Sequence, residues 1–531
     1  MKRQKNIFAL CLVLFLLLPL AACGAAGGYD GLLPQKDASY HDYFKKADEQ
    51  NNSFYDANKF VENPFIRASE TPVSTFSADV DTASYTYFRK MVGSADGSIS
   101  RLISLTGDSI RTEEMINYFS YNYKGPKSGE LFGINVEISD CPWNSEALLM
   151  CLGLKADTIL PEGGNNLVFL IDVSGSMAAD DKLPLLKTAF SHLTEQLTER
   201  DIISIVTYSG KEEVVLEGCE GNYGAKIQRA VNGLVASGST NGQAGLQMAY
   251  NIAKKYYIEG GNNRIIMASD GDLNVGISTP EKLKDFISEK RDEGIYLSVL
   301  GFGTGNYRDA NMEALADNGN GVYYYIDSVS EARKIFSTDL ISTLYTVAED
   351  VKLQITFDPE YIDSYRLVGY ENRLLSEEDF NDDKKDAGEV GAGHSVTVCY
   401  ELILTEKAKN NNSSPVAVKQ NAVLPLSISS NTASASPAGS WMKLAIRYKN
   451  PGGSESILNE YTIGRANYTE KPGDDFKFIC AVAELSMLLH RSSYLGNITI
   501  KDIYESLKAL DLSDDIYKAE FRDLVAEFVR Q

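Results

Sequence analysis

Histidine is scarce in this chain. Its 531 residues hold only His41, His192, His394 and His490, with no His-Glu-x-x-His helix and no Gly-x-Ser-x-Gly elbow. Without a general base set near a nucleophile or a metal, hydrolysis is not expected, and the chain reads as a non-enzyme. Basic charge is short as well: 51 Lys and Arg face 73 Asp and Glu, a formal net charge of −22. That excludes nucleic acid and anionic lipid headgroups as partners, because both are held by basic patches. Cys141, Cys151, Cys219, Cys399 and Cys480 are scattered without a Cys-x-x-Cys pair, so neither a zinc site nor a disulfide scaffold is indicated. Cys141 and Cys151 are spaced either to bridge a hairpin or to remain buried thiols. Near the N-terminus only residues 7–20 form a long apolar run.

That run follows Lys2, Arg3 and Lys5 and ends in Leu20-Ala21-Ala22-Cys23, the layout of an export signal. It is shorter than the roughly twenty residues of a membrane span and contains Pro19. Leu-Ala-Ala-Cys-Gly resembles the lipobox of bacterial lipoproteins. The resemblance implies a signal peptide over residues 1–22, lipid on the Cys23 thiol, and residence at the extracytoplasmic face of a bacterial cell membrane. Loss of residues 1–22 removes three basic residues and no acid, moving the net charge from −22 to −25, so membrane attachment falls to the lipid. Residues 23–60, opening Gly24-Ala25-Ala26-Gly27-Gly28 and polar through Gln50-Asn51-Asn52-Ser53, read as a flexible tether.

Oxygen donors are what the chain has in pattern. Asp172, Ser174 and Ser176 lie in Ile-Asp-Val-Ser-Gly-Ser-Met, Thr240 in Ser-Gly-Ser-Thr-Asn, and Asp270 in Ala-Ser-Asp-Gly. Residues 166–171 and 264–268 read as buried strands running into the first and last of these turns, where open α/β sheets place their binding crevice. Three hydroxyls and two carboxylates suit a hard cation in an octahedral oxygen shell, Mg²⁺ first, with Mn²⁺ or Ca²⁺ as alternatives. Ser174, Ser176 and Thr240 are expected to bind it directly, and Asp172 and Asp270 directly or through water. With no cation between them, those two carboxylates are expected to repel each other. The constellation resembles the metal-ion-dependent adhesion site of von Willebrand factor type A domains, which implies an open coordination position for a partner's acidic side chain.

Helical apolar periodicity over residues 183–197 and at Leu246, Ala249, Ala253 and Tyr256 alternates with strands at 202–208, 295–302 and 321–326. The expected fold is α/β, a doubly wound, mostly parallel sheet of von Willebrand A or Rossmann-like type over residues 161–345. Strand-like segments at 131–138 and 148–154 precede it, and others at 351–357, 395–404 and 442–448 follow. They predict a β-sandwich into which the central domain is inserted, with its ends close together. The divisions are a segment of helices and strands over 61–160, a β-rich domain over 346–470 and a helical region over 471–531. The apolar helix over 476–489 is broken by Lys477 and Glu484 and is expected to pack inside the protein.

Several local patterns invite other readings. Asp79 and Asp81 suggest a second metal site, but Asp81 or Thr82 capping the helix that follows is the expectation preferred here. Asp270, Asp272, Asn274 and Glu281 fall at EF-hand positions, yet Val275 stands where the sharp turn needs Gly. Gly301-Phe302-Gly303-Thr304-Gly305 has Asn306 where a dinucleotide loop needs its third Gly. Asn63-Pro64-Phe65, Ser74-Thr75-Phe76-Ser77, Glu113-Glu114-Met115-Ile116-Asn117-Tyr118-Phe119 and Ala392-Gly393-His394-Ser395-Val396-Thr397 resemble a bacterial family of von Willebrand A lipoproteins, YfbK-like, over residues 60–531. The loop at 427–440 departs from it as a longer insertion. The resemblance implies a surface lipoprotein that binds a protein partner through the metal site. The alternative is a scaffold or assembly factor for an envelope complex using the same site.

Overall fold

Strands from both sides of the central segment meet in space. The computed structural model describes residues 61–158, 163–238, 242–271, 280–303, 309–338, 345–411 and 440–530. The chain first forms β1 (Ile66–Arg67), β2 (Val73–Ser77), β3 (Phe132–Asp140) and β4 (Leu148–Ala156). The central domain holds β5 (Asn165–Asp172), β6 (Ile202–Tyr208), β7 (Glu212–Glu220), β8 (Asn262–Ser269), β9 (Tyr296–Phe302) and β10 (Tyr323–Ile326). After it come β11 (Thr346–Phe357), β12 (Ile362–Val368), β13 (Leu374–Leu375), β14 (Gly388–Gly391), β15 (Ser395–Leu404), β16 (Ser440–Lys449) and β17 (Ser456–Gly464). One sheet runs β1-β12-β15-β4-β3 and a second β13-β2-β11-β16-β17, with β14 added on β11. Alternation along the strands explains the layering. On β4, Met150, Leu152 and Leu154 join the core shared with Leu353, Ile355 and Phe357 of β11, while Leu149 and Cys151 point to the other side.

That other side is covered by helices. Asp474–His490 buries Phe478, Val482, Leu485 and Leu489 against the outer residues of β4 and β15 and against the helices Ala83–Ser94 and Ile516–Ala526. Among the described residues no helix is long and apolar enough to cross a membrane. All five described cysteines are buried thiols, and the pair that meets is Cys151 with Cys399, Sγ to Sγ 3.7 Å across β4 and β15, rather than Cys141 with Cys151.

The central sheet has the order β10-β9-β8-β5-β6-β7, parallel except for β7 at one edge. Every residue of β5 is buried: Leu167, Phe169 and Ile171 enter the core on one face, Val168 and Leu170 that on the other. Helices on both faces make such an unbroken apolar run possible. The domain leaves the sandwich from β4 in one sheet and returns through β11 in the other. One turn, residues 391–394, holds both ends: Gly393 N donates to Asp157 O (2.8 Å) and Ala392 N to Tyr345 O (2.7 Å).

Asp79 and Asp81 do not cap the helix Ala83–Ser94, whose N-cap Thr82 makes no side-chain cap bond. Arg373 competes them away, with Nε 3.2 Å from Asp79 and Nη2 3.1 Å from Asp81, while Nη1 reaches Asp317 at 2.9 Å. Asp81 Oδ1 also accepts from Tyr323 N at 2.9 Å, fastening the segment to the edge strand β10. A half-buried guanidinium and an edge-strand donor outweigh a local cap because they satisfy charge as well as hydrogen bonding.

One buried acid gives a pH test of the helical layer. Burial, with Asp502 adding to it, pushes the Glu484 carboxyl up to about 7. A raised carboxyl costs nothing while protonated in both states, and its stability is lost as pH climbs through the folded value. Glu484→Gln should therefore raise the melting temperature more near pH 8.5 than near pH 5.5, relieving up to about 3 kcal/mol at the higher pH. Calorimetric scans of the two proteins check it; an equal gain at both pH values would contradict the burial argument.

Candidate metal centre

The crevice follows from strand order. From β5 the chain passes to β6 on one side and later returns to β8 on the other, so connections diverge above the carboxyl ends of β5 and β8. Ile171 stands beside Ala268 in the β5–β8 register, which brings the residues that follow each strand to one place. These are Asp172, at the end of β5, with Ser174 and Ser176 after it, and Asp270 after β8.

The first loop is built rigidly. Ser174 N donates to Asp172 Oδ1 at 2.8 Å, and a short 3₁₀ turn, Gly175–Ala178, follows with Met177 fully buried beneath it. Asp172 and Ser174 are buried and Ser176 is exposed, so the cluster runs from the sheet edge out to solvent. Ser174 Oγ and Ser176 Oγ lie 3.0 Å apart. The second loop is tied to the first by backbone bonds: Ser237 N donates to Val173 O (2.7 Å) and Gly175 N to Gly238 O (3.0 Å). Gly238 has φ +83°, a conformation that glycine adopts without strain. Thr240, two residues on, lies outside the described residues, as does Cys23.

One of the two carboxylates has a counter-charge. Lys182 Nζ sits 2.8 Å from Asp270 Oδ2, with side-chain exposures of 10% and 0%. Its stem crosses Gly303 so closely that a Cβ there would meet Lys182 Cε at 2.2 Å, and Gly303 has φ +76°. The expected repulsion between Asp172 and Asp270 is present, since Asp270 helps to raise the Asp172 carboxyl, but an ammonium the sequence reading did not name supplies a counter-charge to Asp270. Sequence reasoning passed over Lys182. The usable signal was that two acids in one buried crevice need a cation from somewhere.

Asp172 has a different environment. Its Oδ2 is buried without a well-formed hydrogen bond, and the Tyr208 hydroxyl, buried at the end of β6, faces both Asp172 and Ser269 without completing one. Burial above all, with Asp270 adding to it and the Ser174 bonds opposing, lifts the carboxyl to about 6. An unsatisfied buried carboxylate oxygen beside two hydroxyls is a set of hard oxygen donors, and it fits a divalent cation. The rival EF-hand positions Asp272 and Asn274 lie outside the described residues, but β8 rather than a helix leads into that stretch. Elsewhere, His192 is on the helix Leu183–Thr194, His394 in the turn at the domain junction, and His490 ends its helix against Ile110 O.

Three family profiles match successive parts of the chain. They are described as von Willebrand factor (residues 49–151), von Willebrand factor type A domain (166–338) and uncharacterized protein YfbK, C-terminal (342–530). The chain is 38% identical over 477 residues to uncharacterized protein YfbK of Escherichia coli (strain K12), covering 88% of this chain and 80% of that protein. It is 29% identical over 267 residues to inter-alpha-trypsin inhibitor heavy chain H3 of Homo sapiens, covering 47% of this chain and 30% of that one. Among solved structures, von Willebrand factor type A from Catenulispora acidiphila aligns with a TM-score of 0.39 and 16% identity, over 77% of this chain and 89% of that one.

Lys182 and a bound cation would compete for Asp270, which sets an expected outcome for Lys182→Met. Without metal the variant should melt well below the parent, because it removes the counter-charge of a fully buried carboxylate, a loss of about 3–5 kcal/mol. Mg²⁺ should restore much of that, and isothermal titration should show affinity stronger by about tenfold, or 1.4 kcal/mol. Unchanged affinity would show that the ammonium does not oppose the metal.

Proposed function

The chain belongs to the YfbK family of proteins with a von Willebrand factor type A domain, and we propose that it captures a protein partner through a Mg²⁺-dependent adhesion site. The observation that carries this reading is Asp172 Oδ2, buried beside Ser174 and the Tyr208 hydroxyl without a well-formed hydrogen bond, in a cluster that opens to solvent at Ser176. In this reading Ser174, Ser176 and Thr240 bind the ion, and Asp172 and Asp270 hold it directly or through water. Neutral hydroxyl ligands leave the ion electrophilic, and an acidic side chain of the partner fills the remaining position. Mn²⁺ suits the same donors; Ca²⁺ suits them less, since it wants more ligands.

Binding is favoured over catalysis by the donor chemistry: the cluster contains carboxylates, hydroxyls and one ion-paired ammonium, and no imidazole is among its described members. We place the protein on the extracytoplasmic face of a bacterial cell membrane through lipid on Cys23, a reading supported by the Leu-Ala-Ala-Cys motif.

Ser174→Ala combined with Ser176→Ala leaves the Lys182–Asp270 pair intact and so should melt like the metal-free parent. In pull-downs from crosslinked cells it should lose the proteins that the parent releases on adding EDTA. Retention of those proteins would refute the proposal. Titration with Mg²⁺ separates the two geometries on this loop: Thr240→Ala should lose binding and Glu281→Ala should keep it, and the reverse would favour the EF-hand register. For the address, mass spectrometry should find the mature N-terminus at a lipid-modified Cys23. An unmodified cysteine or a start elsewhere would overturn the anchor.

A further inference from the structure

A second group of acids lies away from the adhesion site, where β11 leaves the metal domain. Asp350, Asp386 and Glu389 each bring a carboxylate oxygen within 4.8 Å of the other two. They are gathered by an irregularity: the β11–β14 ladder slips between Ala348 and Val351, and Asp350 within that slip has φ 53°. Two of the acids have a cation on one oxygen. Asp350 Oδ2 is 2.6 Å from Lys449 Nζ, and Asp386 Oδ2 is 2.8 Å from Arg291 Nη1. Asp350 Oδ1 accepts from Ala387 N at 3.0 Å. The neighbouring Glu349 is occupied with Tyr296 and with Gly452 N.

Glu389 is the member without an explanation. It is 8% exposed, and its Oε1 is buried with no hydrogen-bond partner. Buried polar atoms are nearly always paired, and a third carboxylate crowded against two others is costly when charged. Asp386, by contrast, has 49% of its side chain exposed, so the group runs from a buried end to an open one.

We propose that Asp350, Asp386 and Glu389 form a calcium site at the junction between the metal domain and the sandwich, separate from the adhesion site. Three carboxylates without imidazole or thiolate select a hard cation over zinc or copper. Ca²⁺ accepts carboxylates in one- or two-oxygen modes and fills a shell of six to eight with backbone carbonyls and water, a tolerance that Mg²⁺ lacks. The ion satisfies the Glu389 oxygen and offsets the crowded charge. Arg291 belongs to the helix Pro280–Asp292 of the metal domain and Lys449 to β16 of the sandwich, so the ion would brace the two against each other.

The test uses the full chain in detergent with Ser174→Ala and Ser176→Ala, which silences the adhesion site, titrated with CaCl₂ alone. About one equivalent of Ca²⁺ should bind, and millimolar Ca²⁺ should raise the melting temperature by about 2–4 °C. Adding Glu389→Gln and Asp386→Asn should weaken binding at least about tenfold and remove the shift. If that combination does not fold, Asp386→Asn alone, at the exposed position, should still weaken binding. No heat and no shift at millimolar Ca²⁺, or a shift that survives these changes, would overturn the site. Neither result bears on partner capture, which is read with Mg²⁺ on the parent protein.

Discussion

The turn at residues 391–394 is the constraint on which the architecture depends. It accepts the chain leaving β4 and the chain arriving at β11, through Gly393 to Asp157 and Ala392 to Tyr345. Two backbone hydrogen bonds are individually modest, about 1 kcal/mol each. Their effect here is geometric, since they fix the ends of an inserted domain whose strands then need only short connections. Asn165, the first residue of β5, donates to the hydroxyl of Tyr345 at 2.9 Å, so the strand that carries Asp172 starts from the same anchorage. The loop after β5 that carries the candidate metal site is thus one rigid strand away from the sandwich.

Around that anchorage the domain is keyed by buried charge. Arg89 on the helix Ala83–Ser94 meets Asp327 and Glu331 of the metal domain and Glu520 of a C-terminal helix. Arg366 on β12 pairs with Glu401 on β15 at 2.8 Å, both almost wholly buried. Such pairs add little net stability, because desolvation offsets their attraction, but losing one partner is expensive. They penalise every alternative docking of the helices and the domain. The Lys182–Asp270 pair has the same character with an added property, since in the proposed site a divalent ion would offer Asp270 another partner.

What the sequence made legible was whatever is written locally. β5 and β8 announce themselves through the apolar stretches 167–171 and 265–268 that run towards Asp172 and Asp270, and the helix Leu183–Thr194 shows its period of apolar positions. The edge strand β7 was missed because Glu212, Glu213, Glu217 and Glu220 leave it no clear alternation. Short β2, and β12 and β17, were missed for want of a distinctive pattern, although two of them complete the sheet around β11 and β16. Asp79 and Asp81 look like local caps in sequence, and their true partner, Arg373, is nearly three hundred residues away. Lys182 carries no motif at all. Its role depends on a tertiary approach to Asp270 that spacing along the chain cannot express.

The position of β2 bears on how this molecule carries load. The segment entering at residue 61 is first held by the Asn63 amide, bonded to Leu367 O and Gly369 O, next by the two-residue β1 against β12, and then by β2, which lies between β11 and β13. Five residue pairs, from Val73 opposite Thr356 to Ser77 opposite Lys352, bind β2 to β11. A pull along the N-terminal segment loads that ladder in shear, so its hydrogen bonds resist together instead of opening one by one. The tension passes into β11, and from there into the sandwich, before it reaches the strands beneath the metal loops. A chain tethered by its N-terminus and gripped at those loops would act as a mechanical link whose weakest element need not be the adhesive one.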